Sequence, residues 1–132
     1  MLNTENRGTI LYVEDNPDNR MLIRRVLGAD GYTVHVAESA TSAMAALKTL
    51  RPDLILMDIN MPEMDGYTLT ANIRSLPNMG TVPIVAVTAN VLKGDRERSL
   101  EAGCDGYISK PLDVPNFITQ VQNCLLGKWQ GM

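Results

Sequence analysis

Hydrophobic positions along the chain fall into short blocks that alternate with segments of helical spacing. Thr9 to Val13 and Leu54 to Met57 are apolar runs of strand length. Pro83 to Val87 gives another, and Gly106 to Ser109 reads as a short last strand. Continuous apolar runs of this length suit strands covered on both faces. Tyr32 to Ala37 differs, because Val34 and Val36 alternate with Thr33 and His35. That pattern marks a strand less fully covered, as at the side of a sheet.

Between these runs the spacing changes to that of helices. Leu22, Ile23, Val26 and Leu27 form one stripe after Asn16-Pro17, where Asp15 or Asn16 can cap and Pro17 suits the first turn. Gly28 and Gly31 mark that helix's exit. Ser39 is the expected cap of a second helix carrying Ala43, Met44, Leu47 and Leu50. Asp65 is the expected cap of a third, with Leu69, Ile73 and Leu76 ahead of Pro77. A charged fourth helix is expected over Val91 to Ala102, and a fifth carries Phe117, Val121, Cys124 and Leu125. Five strands alternating with five helices make an α/β domain, and right-handed crossovers give a parallel sheet with helices on both sides.

At 132 residues the chain fits one domain, read as a core over 9–126 between tails at 1–8 and 127–132. A net charge of -3 argues against a protein built to grip nucleic acid. Apolar stretches are too short to span a membrane, and the polar start lacks a secretory pattern, so a cytoplasmic protein is expected. Cys104 and Cys124 are too few for a disulfide framework and read as reduced thiols.

A parallel sheet brings all strand carboxyl ends together, so the residues just past them decide the chemistry. They are Glu14 and Asp15, Asp58, Thr88 and Lys110. Alone, Asp58 reads equally well as a turn or capping aspartate, and the whole group could be a structural ion-pair cluster. Three gathered carboxylates, however, repel by about 4 kcal/mol per pair at ~4 Å and an effective dielectric of 20. Lys110 offsets part of this, and Mg²⁺ suits the remainder. Cation, ammonium and Thr88 hydroxyl would then face a phosphoryl group, with Asp58 as its nucleophile.

Four quoted stretches carry a family resemblance: Ile10-Leu-Tyr-Val-Glu14-Asp15-Asn16, Leu56-Met-Asp58-Ile-Asn-Met-Pro62, Val87-Thr88-Ala-Asn90 and Tyr107-Ile-Ser-Lys110-Pro111. Together they resemble the receiver domain of two-component response regulators, over about Thr9 to Leu126. The resemblance implies a flavodoxin-like (βα)5 doubly wound sandwich with strand order 2-1-3-4-5. It makes Asp58 the phosphoacceptor. Asp15 and Asp58 would ligate Mg²⁺ directly (Mn²⁺ as a substitute), Glu14 through water, and the Asn60 carbonyl would complete the set. Lys110 and Thr88 would meet the phosphoryl oxygens, Tyr107 would be the switch aromatic, and Lys110-Pro111 would be cis.

The same resemblance implies a phosphorylation switch, not an enzyme acting on metabolites. Its donor would be a sensor histidine kinase or a histidine phosphotransfer protein. A downstream target would dock on the face of the fourth helix, last strand and last helix, the protein being a monomer or weak dimer. Two rivals differ in specific ways. A haloacid-dehalogenase-type phosphatase places its aspartate nucleophile on the first strand with a second aspartate two residues on, where Asn60 stands here. A flavin binder needs a hydroxyl-rich phosphate loop, which is missing. Asn60 and Asn90 are expected to set water access, His35 faces solvent or packs, and Trp129 has no assigned role.

Overall fold

The computed structural model describes residues 7–59, 66–88, 100–109 and 113–127. Strands β1 (Thr9–Val13), β2 (Thr33–Ala37), β3 (Leu54–Asp58), β4 (Ile84–Thr88) and β5 (Gly106–Ser109) form one sheet. All its pairings are parallel and its order is β2-β1-β3-β4-β5. This is the expected order, with β2 at one side and β1 and β3 inside. The expected contrast holds residue by residue: β3 and β4 are buried throughout, whereas Thr33 and His35 on β2 are exposed.

Among the described residues the sheet is covered by α1 (Pro17–Ala29), α2 (Ala40–Ala46), α3 (Gly66–Arg74) and a C-terminal helix, Val114–Leu125. Residues 100–102 are also helical, while most of the expected fourth helix lies outside the described residues. Side chains alternate across a strand, so the sheet feeds two apolar layers. Ile10, Tyr12, Leu54 and Leu56 pack with Ile23 and Leu27 of α1 and with Phe117 and Val121. Leu11, Val13, Ile55 and Met57 pack with Ala43 of α2 and with Leu69 and Ile73 of α3. Cys104 and Cys124 belong to opposite layers and are free. Burial pushes their thiols up to about 11 and about 12, which keeps them protonated and poor nucleophiles.

Asn16 caps α1, its Oδ1 accepting from the amides of Asp18 at 2.9 Å and Asn19 at 3.1 Å. Ser39 caps α2, its Oγ accepting from Ser42 N at 3.1 Å. Several expectations need correction. Gly28 does not end α1 but lies inside its last turn; Gly31, at φ 96°, makes the exit. Leu22 is 45% exposed and stands outside the buried stripe of Ile23 and Leu27. Helix α2 stops at Ala46, so Leu47 and Leu50 follow it, and Arg51 Nη1 donates to both of their carbonyls. Helix α3 stops at Arg74, two residues short of Leu76, because a residue preceding proline disfavours the helical region. Arg7 and Gly8, assigned to a tail, are tied to the body: Arg7 N donates to Gly31 O at 2.9 Å, and Gly8 O accepts from Thr33 N at 2.9 Å. The expected cap Asp65 lies outside the described residues.

Candidate functional site

Register builds the site. Val13 pairs with Met57, so the next step along each strand brings Glu14 beside Asp58. Adjacent parallel strands lie ~5 Å apart, which places the two acids side by side. By alternation both lie on the face of Tyr12 and Leu56, the layer under α1. Asp15 begins the turn into α1. One carboxylate oxygen from each of Glu14, Asp15 and Asp58 lies within 4.8 Å of the other two. Asp15 is exposed, whereas Glu14 is 1% and Asp58 2% exposed.

The β1–α1 junction is held by groups that sequence reasoning missed. Tyr12 Oη donates to Glu14 Oε1 at 2.9 Å, and Asn19 Nδ2 donates to the same oxygen at 3.2 Å. Asn16 N donates to Glu14 Oε2 at 3.3 Å. Arg20 Nη1 donates to the main-chain oxygens of Glu14 at 3.0 Å and Asp15 at 2.9 Å. Burial, followed by the charge and hydrogen bond of Glu14, raises the Tyr12 hydroxyl well above the usual phenol range. Strand spacing held the clue to Tyr12, since residues i and i+2 share a face.

Gly66 opens α3 and takes its place for a steric reason. A Cβ there would sit 2.8 Å from Asp58 O and from Ile59 Cα, so the helix start can approach Asp58 only with glycine. Gly66 N donates to Ile59 O at 3.2 Å, and Thr70 Oγ1 donates back to Gly66 O at 2.7 Å.

Thr88 ends β4 and is buried, one position past Val87, the register partner of Asp58. Tyr107 pairs with Ala86 on the neighbouring strand and is partly buried against the α2–α3 layer. Thr88 stands two residues after Ala86, so by alternation it falls on Tyr107's face. Asn60, Asn90, Lys110, Pro111 and Trp129 lie outside the described residues. His35 is exposed, as one of its two expected placements had it.

A five-stranded parallel sheet with an acid trio at its carboxyl end fits a receiver domain, and the comparisons establish that family. Residues 10–122 match the response regulator receiver domain family. The chain belongs to that family, and so to two-component phosphorelay signalling. It is 39% identical over 117 residues to the polar-differentiation response regulator DivK of Brucella anthropi, covering 89% of this chain and 95% of that protein. The chemotaxis protein CheY4 of Vibrio cholerae superposes with a TM-score of 0.86 at 25% identity, over 89% of this chain and 98% of that one. The receiver domain of a sensor histidine kinase from Pseudomonas aeruginosa superposes with a TM-score of 0.81 at 40% identity, over 89% and 97% of the two chains. That domain carries a magnesium ion coordinated in its active site cleft. Family membership leaves the phosphatase and flavin readings behind: Asp58 ends the third strand, not the first. No described helix is long and apolar enough to cross a membrane.

Proposed function

We propose that this chain is a phosphorylation switch in which Asp58 takes a phosphoryl group from a phosphohistidine of a sensor kinase or phosphotransfer protein. The observation that carries this reading is the approach of Asp58 to Glu14, which strand register sets, and to Asp15 at the turn, all within 4.8 Å of one another. Two nearly buried acids and one exposed acid so close together fit a hard divalent cation. Asp15 and Asp58 would hold Mg²⁺, with Glu14 through water and the Asn60 carbonyl completing the set. When bound, the ion supplies positive charge that neutralises the carboxylates and the transferring phosphoryl group.

The chain's own residues supply the rest. An Asp58 carboxylate oxygen bonds to phosphorus as the donor's P–N bond breaks, and the departing imidazole keeps that electron pair and takes up a proton. An acyl phosphate results, and water later cleaves it to inorganic phosphate and the free carboxylate. Lys110 pairs with phosphoryl oxygens and the Thr88 hydroxyl donates to one of them, so the new dianion favours one of two arrangements of the β4 end. Tyr107 then moves further inward beside Thr88, and its half-buried start supports that motion. The chain catalyses only its own phosphorylation and dephosphorylation. Its output partner docks on the face containing β5, an outer strand, and the C-terminal helix.

The test is addition of beryllofluoride with Mg²⁺, followed by amide shifts. Wild type should shift at Asp58, Thr88 and Tyr107, and Asp58→Asn should not. A silent wild type, or an equal response from Asp58→Asn, would overturn the reading.

A further inference from the structure

The hydroxyl of Tyr12 is chemically out of place. Tyr12 is fully buried in the layer under α1, among Ile10, Ile23, Leu56 and Phe117. A phenylalanine would fill this space without bringing a polar atom that needs a partner. The partner it finds is Glu14 Oε1, two residues on along the same strand face, at 2.9 Å. Asn19, in the first turn of α1, donates to that oxygen from the helix side at 3.2 Å. Asn16 N reaches the other oxygen at 3.3 Å. Donors from strand, turn and helix therefore fix the plane of one carboxylate, which could not rotate without breaking a buried hydrogen bond.

We infer that Tyr12 is a positioning residue for the metal site, locking Glu14 with the help of Asn19 so that its carboxylate is oriented before Mg²⁺ arrives. This rests on the metal-dependent switch proposed above. Glutamate has three side-chain torsions, and a free carboxylate would have to be ordered on each binding event. Outer partners that orient metal ligands commonly govern affinity, and their loss costs 10- to 100-fold. Glu14 is expected to act through water, so the effect should lie at the lower end of that range. A purely structural account has the two groups merely satisfying each other's hydrogen bonds; it predicts altered stability and unaltered metal affinity.

The test is calorimetric Mg²⁺ titration of wild type, Tyr12→Phe, Glu14→Gln and the double variant. Tyr12→Phe should bind Mg²⁺ about tenfold more weakly. In the Glu14→Gln background the same change should cost less than about twofold, because the group it positions has lost its charge. Wild-type affinity in Tyr12→Phe, or an equal loss in both backgrounds, overturns the inference and leaves the switch standing. Failure of wild type to bind Mg²⁺ overturns both. If Tyr12→Phe does not fold, Asn19→Ala takes its place in the same cycle. A severalfold loss confined to the Glu14 background then supports the inference, and unchanged affinity overturns it.

Discussion

The two ends of the sheet distribute their acids differently. At the amino end three carboxylates each meet a cation or a main-chain donor. Asp30 pairs with Arg7 at 3.0 Å, and Asp105 with Arg74 at 2.7 Å. Asp53 accepts from Thr9 N at 2.8 Å. At the carboxyl end Glu14, Asp15 and Asp58 gather within 4.8 Å of one another, and the donors to Glu14 include Tyr12 Oη, Asn19 Nδ2 and Asn16 N. Arg20 stands nearby, yet it donates to main-chain oxygens and lies 3.9 Å from Glu38. One end spreads its acids over separate partners, and the other concentrates three of them at one spot. Under the proposed function, separating the two in this way would let the site respond to a cation and a phosphoryl group while the scaffold stays fixed.

The sharpest way to break this contrast is to damage the amino end. Arg74 ties α3 to the segments entering β4 and β5, donating to Gly103 O, Met79 O, Val82 O and Asp105 Oδ2. Arg74→Met should lower stability by about 2–3 kcal/mol in urea denaturation, the partly exposed pair softening the full penalty of a buried one. Mg²⁺ affinity should stay at the wild-type value, because distant sites add independently. A parallel fall in affinity would show that the two ends are not separate.

Gly66 should link the two properties, since it touches the main chain at Asp58. Gly66→Ala should cost about 1–3 kcal/mol through overpacking against Asp58 O and Ile59, and should weaken Mg²⁺ binding as well. A variant with wild-type stability and binding would mean that the start of α3 can retreat freely. The carboxyl end itself should behave in the reverse sense. Without metal, Asp15→Asn should stabilise the fold by about 1 kcal/mol, the exposed position keeping the gain small. Adding Mg²⁺ should stabilise wild type and help the variant much less. If Asp15→Asn loses stability in EDTA, the acid trio is not a strained arrangement.

Much of this contrast was legible in the sequence at the carboxyl end and almost none at the amino end. Apolar runs ending in Glu14-Asp15, Asp58 and Thr88 announce themselves, because a buried strand must stop where charge begins. The place of β2 at one side of the sheet was legible too, through the alternation of Val34 and Val36, while the full strand order came only with the family resemblance. The clamp made by Arg74 was not, because its partners are carbonyls and an acid brought near by the fold, the furthest 31 residues along the chain. The near-complete burial of Glu14 was also hidden, since it depends on α1 docking over β1 and on Asn19 arriving from the helix. Helix ends were misread where local rules compete. Periodicity continues through Leu47 and Leu76, but Arg51 takes the carbonyls after α2 and Pro77 closes α3 early.

The smallest expected effect sharpens the comparison from the stable end. Gly28 was read as a helix terminator, yet it sits within α1 in an ordinary helical conformation, ahead of the cap residue Asp30. A Cβ added there meets nothing within 4 Å, so no packing reason requires glycine. Alanine restricts the unfolded chain more and favours the helix, by about 0.5–1 kcal/mol in a helix interior and toward the lower figure in a last turn. Gly28→Ala should therefore raise the urea midpoint slightly at unchanged slope. Mg²⁺ affinity and the beryllofluoride response should both stay at wild-type values, because the substitution lies at the opposite end of α1 from Asn16 and Asn19. A loss of stability would mean that this turn needs glycine for its junction with Gly31 after all. A gain in stability accompanied by weaker metal binding would mean that tightening α1 at its far end reaches Glu14, and that scaffold and site are coupled along the helix.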